Sequence, residues 1–186
     1  MNTWFTSDEH YDHENIIRFQ NRPFKNITEM REVMIQNHNA IVKPDDIVYH
    51  LGDFSFADSK TSQLIFDRLL GHKFLILGNH DRNNRLPKGW VSIDRMKEIK
   101  LDGKDIILCH YGMRVWNKSH HGSYQLFGHS HGHLPGTTQS QDVGVDCWNF
   151  TPVSFPDILK RMSSNKLFTS EDYHGDTRTK NDGKYN

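Results

Sequence analysis

Five times along this chain a short apolar run breaks off at a cluster of oxygen and nitrogen donors. The runs are Thr3–Thr6, residues 47–49, residues 74–77, Lys104–Cys109 and Tyr124–Phe127. The clusters that end them are Asp8-Glu9-His10, Gly52-Asp53, Gly78-Asn79-His80-Asp81, His110 and Gly128-His129-Ser130-His131. Runs this short read as strands when turn residues bound them. Helical patterns separate the first three. Open α/β sheets gather binding groups just beyond the carboxyl ends of their strands, so the repetition selects an α/β fold and collects the donors along one edge.

The rest of the chain fits that frame. Thr28 is placed to cap a helix with Glu29 in its first turn, and Met30, Val33, Met34 and Ile41 share one helical face. Leu64, Ile65, Phe66 and Leu69 form the apolar stripe of the next helix. Asp102-Gly103, flanked by residues 98–101 and 104–109, is a type I′ hairpin signal. A last helix is expected from Ser154, with Phe155-Pro156-Asp157 as its first turn. The 186 residues suit one domain over 1–162, followed by a polar, poorly ordered tail over 163–186.

Composition excludes several classes. Lys+Arg and Asp+Glu are equal at 23 each, so no excess of positive charge points to long nucleic acids or anionic membranes. Only 35% of residues are hydrophobic and mean hydropathy is −0.75, a lean core to which bound metal is expected to add folding energy. Two cysteines, Cys109 and Cys147, make no disulfide framework and read as small buried hydrophobes. No signal-peptide pattern or bilayer-length apolar run occurs, so a cytoplasmic location is expected. Histidine is the outlier, at 13 residues.

Taken singly, each donor cluster has an ordinary explanation. Asp-x-His arises by chance, a lone histidine is more often a surface or hydrogen-bonded core residue, and Gly-Asn-His-Asp makes a turn. The ordered set carries the weight. Its nitrogen and oxygen donors suffice for two divalent cations, with no cysteine among them. Two such ions, about 3.5–4 Å apart across a shared carboxylate, make a site for in-line attack on phosphorus.

These motifs resemble those of the calcineurin-like metallophosphoesterases, from residue 1 to about 162. The likeness is greatest to small single-domain bacterial and phage members, through Thr6-Ser7-Asp8-Glu9-His10 running on to Asn15-Ile16-Ile17, and through Gly144-Val145-Asp146 leading to Trp148-Asn149. That group often has Gly where Asp12 stands and Pro where Gly112 stands. The resemblance implies two central β-sheets flanked by helices. It also implies that Asp8, His10, Asp53 and His131 hold one ion, and that Asp53, Asn79, His110 and His129 hold the other. His80 would protonate the leaving oxygen, and a hydroxide available at neutral pH would attack. Mixed N/O ligands suit Mn, Fe, Zn and Ni, and the oxygen share and availability, not affinity, favour Mn or Fe, with Mn²⁺ first.

Where protein Ser/Thr phosphatases carry Gly-Asp-x-x-Asp-Arg-Gly, this chain has Gly52-Asp53-Phe54-Ser55-Phe56-Ala57-Asp58. The departure argues against a protein substrate. It leaves Asp81 or Asp12 to orient His80, and Asp81 is counted with His80 as catalytic. His13, His50 and His133 are placed beside ligands as supporting groups, while His38, His72 and His174 are expected at the surface.

Arg82 and the loop 111–123 are the candidate substrate contacts. Arg114 is suited to a phosphate oxygen, Trp116 to a ring, and Asn117, His120 and His121 to hydrogen bonds. For Trp116 the alternative is simply to pack the loop down. The substrate expected is a small phosphate ester, nucleotide-like, with a diester favoured over a monoester and no dedicated protein partner. A nuclease on longer DNA or RNA would need a basic track. A scaffold that had lost its chemistry would show eroded ligands, and all seven ligand positions and His80 are intact.

Overall fold

A computed structural model of the chain describes residues 1–82 and 84–167. β1 (Thr3–Thr6), β2 (Ile47–His50), β3 (His72–Ile76) and β4 (Ile93–Asp94) run parallel to one another, and β9 (Val153–Ser154) runs antiparallel to β1. Their order is β4-β3-β2-β1-β9. A second sheet has the order β5-β6-β7-β8, from β5 (Met96–Leu101), β6 (Lys104–Cys109), β7 (Tyr124–Phe127) and β8 (Ser140–Asp142). Only its β5–β6 hairpin is antiparallel. Asp102 and Gly103 both have positive φ, 50° and 75°, the type I′ geometry their sequence predicts.

Apolar side chains from both sheets interlock, with Phe5, Ile76, Ile106, Leu108 and Leu126 all buried in one cluster. The helix α4 (Phe155–Met162) contributes Phe155, Ile158 and Met162 to the same cluster. Ser154 caps it as expected, accepting the Asp157 N–H. A second cluster joins α1 (Glu14–Phe19), α2 (Ile27–Ile41) and α3 (Ser59–Arg68) to Tyr11 and Phe54, which follow β1 and β2. Two mixed sheets flanked by helices form the α/β sandwich expected from the resemblance.

The structure revises several details. α2 is capped by Asn26, whose side chain accepts the Glu29 N–H at 2.9 Å, and Thr28 lies inside the first turn. Asn26 is the better cap because Glu29 then falls at the third helical position, where its carboxylate reaches back to the Lys25 N–H. The inward stripe of α3 is Ser62, Ile65, Phe66 and Leu69, and Leu64 is 59% exposed. Spacing of three, four and seven holds one face, and Leu64 falls outside it. His38 is buried, bonded through Nε2 to the Leu70 carbonyl at 2.9 Å, and not at the surface as expected; His72 is exposed.

The expected tail begins in packed structure. Asn165 donates to the Thr137 carbonyl and to Gln141, and Lys166 bridges to Thr137. Its remainder, including His174, lies outside the described residues. Among the described residues no helix is long and apolar enough to cross a membrane.

Candidate metal centre

Beyond the strand ends, hydrogen bonds draw the donor loops together. Asp8 N–H reaches Gly52 O at 2.9 Å and His10 N–H reaches Asp53 O at 3.1 Å, joining the loops after β1 and β2. Gly128 N–H reaches His110 O at 2.9 Å and Val145 N–H reaches Ser7 O at 2.9 Å, tying the second sheet to the first. Asp8, His10, Asp53, His129 and His131 all have positive φ, between 48° and 66°. Non-glycine residues adopt this conformation at a cost of about 1–3 kcal/mol each, and such strain clusters at functional sites. Here it turns five side chains toward one point. Two glycines make room: a Cβ on Gly78 would stand 2.2 Å from Asp53 Oδ1, and one on Gly128 would stand 2.0 Å from Ser7 Oγ.

The result is two clusters of metal-ligating atoms. Asp8, His10 and His131 form one, Asp53, His110 and His129 the other, and within each cluster the donor atoms lie within 4.8 Å of one another. Asp53 stands between them, its Oδ2 at 3.6 Å from His10 Nε2 and 3.5 Å from His110 Nε2. Asn79 Oδ1 lies 3.1 Å from His110 Nε2, adding a neutral amide oxygen to the second cluster. All seven predicted ligands thus converge.

The donor set fits divalent cations on an independent observation. Asp8 Oδ1 and both ring nitrogens of His10 are buried without a hydrogen-bond partner. Among the described residues only His13 Nδ1 and Trp90 Nε1 share this state, and a cation would satisfy Asp8 Oδ1 and one nitrogen of His10. Burial, opposed by His110 and His131, pushes the Asp8 carboxyl up to about 7; burial, opposed by Asp53, drives the His10 imidazole well below its ordinary value. Burial also works against ionised Asp53, but the hydrogen bond and charge of His110 outweigh it and hold that carboxyl at about 2.

The groups behind the ligands set their tautomers. His110 Nδ1 bonds the Leu51 carbonyl at 2.7 Å, and His131 Nδ1 bonds Asp146 at 2.7 Å. Each Nδ1–H is committed to that acceptor, so Nε2 is the nitrogen each ring would turn to a cation. Asp146 is gripped by Arg22 through two bonds of 2.8 Å, and the same buried guanidinium donates to the carbonyls of Asp8 and Glu9 at 2.7 and 2.8 Å. His50 donates from Nε2 to the buried Glu9 carboxylate and accepts the Gly52 N–H at its Nδ1, bracing the loop that carries Asp53.

Sequence reading missed Arg22, Asp146 and Glu9. Asp146 lay inside a stretch that carried the resemblance, and Glu9 sits between two ligands. Nothing local marks Arg22.

The His80 backbone N–H donates to Asp53 Oδ1 at 2.8 Å, and its exposed ring packs against Phe56 and His10 with centroids 4.7 and 5.6 Å apart. Neither expected carboxylate orients it. Asp81 accepts the N–H groups of Asp53, Phe54 and Gly78 at 2.8–3.0 Å, which makes it a brace for the ligand loops instead of a catalytic partner. Asp12 is held by Arg31 at 3.0 Å. Phe56, where phosphatases have aspartate, positions His80 by packing. His13 stacks on Phe56 with centroids 4.0 Å apart, and His133 meets Gln20 away from the ligands.

The predicted substrate loop divides differently. Trp116 is buried and donates to Ser123 O at 3.2 Å, so it packs the loop and offers no face to a ring. Asn117 is held by Glu98 on β5, and neighbouring Lys118 by Asp105 at the start of β6, the end opposite His110. His121 packs against His120 at a tilt, with centroids 4.0 Å apart, in the same remote turn. A long loop anchored by polar bonds at the far strand end cannot follow its first residues to the metal centre. Arg82 and Arg114 are exposed.

Comparison with known proteins agrees with this geometry. A family model for calcineurin-like phosphoesterases matches residues 1–162, and the chain belongs to that metal-dependent family. It is 30% identical over 173 residues to an uncharacterized protein of Methanocaldococcus jannaschii, covering 88% of this chain and 93% of the relative. The gene 66 protein of Mycobacterium phage L5 is 26% identical over 184 residues, covering 79% of this chain and 87% of the phage protein. Among solved structures, a protein of unknown function from Aquifex aeolicus superposes with a TM-score of 0.67 at 26% identity, covering 86% of this chain and 98% of that one.

Proposed function

We propose that the protein is a binuclear phosphodiesterase that hydrolyses small, nucleotide-like phosphate esters in the cytoplasm, with Mn²⁺ as its favoured ion and no dedicated protein partner. The observation that carries this reading is the place of Asp53, whose Oδ2 lies 3.6 and 3.5 Å from a histidine of each cluster. A carboxylate so placed could serve two cations at once and would offset part of their charge.

Asp8, His10, Asp53 and His131 would hold one ion, and Asp53, Asn79, His110 and His129 the other. Bound there, the ions supply Lewis acidity toward the phosphoryl oxygens and lower the pKa of the attacking water. The remaining work falls to the chain. Asp146 and the Leu51 carbonyl keep the protons of His131 and His110 on Nδ1, so that both rings present a lone pair. His80, at the rim and tethered through its backbone to Asp53, donates a proton to the leaving oxygen. Phe56 keeps that ring over the ligands without tying up either nitrogen.

The test is hydrolysis of bis-p-nitrophenyl phosphate beside p-nitrophenyl phosphate, with metal-stripped protein, with and without Mn²⁺, and with bound metal measured in parallel. Mn²⁺-dependent turnover favouring the diester is expected. A preference for the monoester would overturn the diesterase assignment, and stoichiometric binding of a single ion would overturn the binuclear one.

A further inference from the structure

A cavity of about 780 Å³ opens beside the second ligand cluster, and Leu77, Asn79, Asp81, Asn84, Arg95 and Tyr111 are on its wall. That is ample for a nucleotide-sized group, since ligand sites run to about 300–1,000 Å³. Arg95 is the single residue between β4 and β5, and register on either side fixes its place. The carbonyl of Asp94, before it, accepts the Leu77 N–H at 2.8 Å, while Met96, after it, pairs with Cys109. Arg95 is therefore held between the two strand ends that lead to Asn79 and His110.

Its guanidinium is exposed and makes no hydrogen bond or ion pair with any described residue. The acid on the wall, Asp81, is turned to the backbone N–H groups of Asp53, Phe54 and Gly78 and makes no ion pair with Arg95. Across the cavity the Tyr111 ring, 45% exposed, stands edge-on to His110 and His129 with centroids 5.0 and 4.9 Å away. The amides of Asn79 and Asn84 are exposed between them.

A guanidinium without a partner among the described residues matches the oxygens of a phosphate, a half-exposed aromatic ring offers contact to a planar ring, and side-chain amides read hydrogen-bonding edges. We infer that this cavity is the subsite for the organic arm of a nucleotide diester, with a ring against Tyr111 and a second phosphate at Arg95. The inference rests on the phosphoesterase reading above and adds where the organic arm and a second phosphate of the substrate bind.

The probes are fluorescently labelled pApA and ApA, which differ by one terminal phosphate. Binding to the full chain is followed by anisotropy and so needs no turnover. The wild type is expected to favour pApA by about 10-fold or more, the scale of one charge-assisted contact. Arg95→Ala is expected to erase that preference and Lys100→Ala, an exposed cation on β5, to keep it. Tyr111→Ala should weaken both probes alike. No preference in the wild type, or one that survives Arg95→Ala, overturns the subsite. If the predicted preference is found in a protein that cleaves neither pApA nor bis-p-nitrophenyl phosphate, the subsite stands and the diesterase reading falls.

Discussion

The two halves of the metal centre use similar donors but differ in what stands around them. Asp8, His10 and His131 are backed by a buried guanidinium, a carboxylate and two carbonyls, all joined through Arg22 and Asp146. Asp53, His110 and His129 share a side with solvent, because His129 and Asn79 are exposed and the cavity opens beside them. On the proposed reading, the sealed half would retain an ion with little reorganisation. The open half, with an uncharged amide in place of another carboxylate, would admit a substrate oxygen. The lesson is that ligand identity does not set the role of a site; the shell behind the ligands does.

The variant expected to hurt most is Asp53→Asn, since Asp53 serves both halves. Metal content should fall at both, and turnover should drop by more than about 100-fold, beyond what loss of an outer group alone costs. Loss confined to one half, read by metal analysis, would mean that Asp53 does not bridge. His80→Ala should retain both ions and lose about 100- to 10,000-fold in kcat, the usual share of a general acid. Full turnover with full metal would remove His80 from the chemistry.

The asymmetry itself is tested next. Graded chelation should strip the open half before the sealed half, and Asp146→Asn should weaken only the sealed half, by about 10–100-fold. Ions that leave in one step from wild type, or an Asp146 variant that weakens both halves alike, would break the contrast. The smallest effect concerns the loop remote from both. Trp116→Phe removes its bond to Ser123 and should lower unfolding free energy by about 0.5–1.5 kcal/mol in a denaturant titration, with KM for either ester unaltered. A raised KM would return Trp116 to the substrate site.

How much of this could be read from the chain follows from the range of each signal. Strands, the Asp102-Gly103 turn and the Ser154 cap are encoded within a few residues, and they occur as expected. Two-residue β4 and β9 and three-residue β8 carry too little pattern to detect, and exist only through pairing with longer strands. Composition marks a loop but not where it is anchored, and Glu98 and Asp105 hold Asn117 and Lys118 at the strand end opposite His110.

The metal ligands were legible because each follows a strand, and strand ends share an edge in an α/β sheet. Residue order therefore pointed to the donor clusters and the fold class, and the resemblance implied which of those donors hold metal. Folding decided the rest. Arg22 meets Asp146 across 124 residues, Asp146 selects the tautomer of His131, and positive φ angles turn Asp8, His10 and Asp53 inward. Arg95 becomes a cavity wall only because its neighbours pair with strands from both sheets. Such relations join positions far apart in the chain, and no local propensity encodes them.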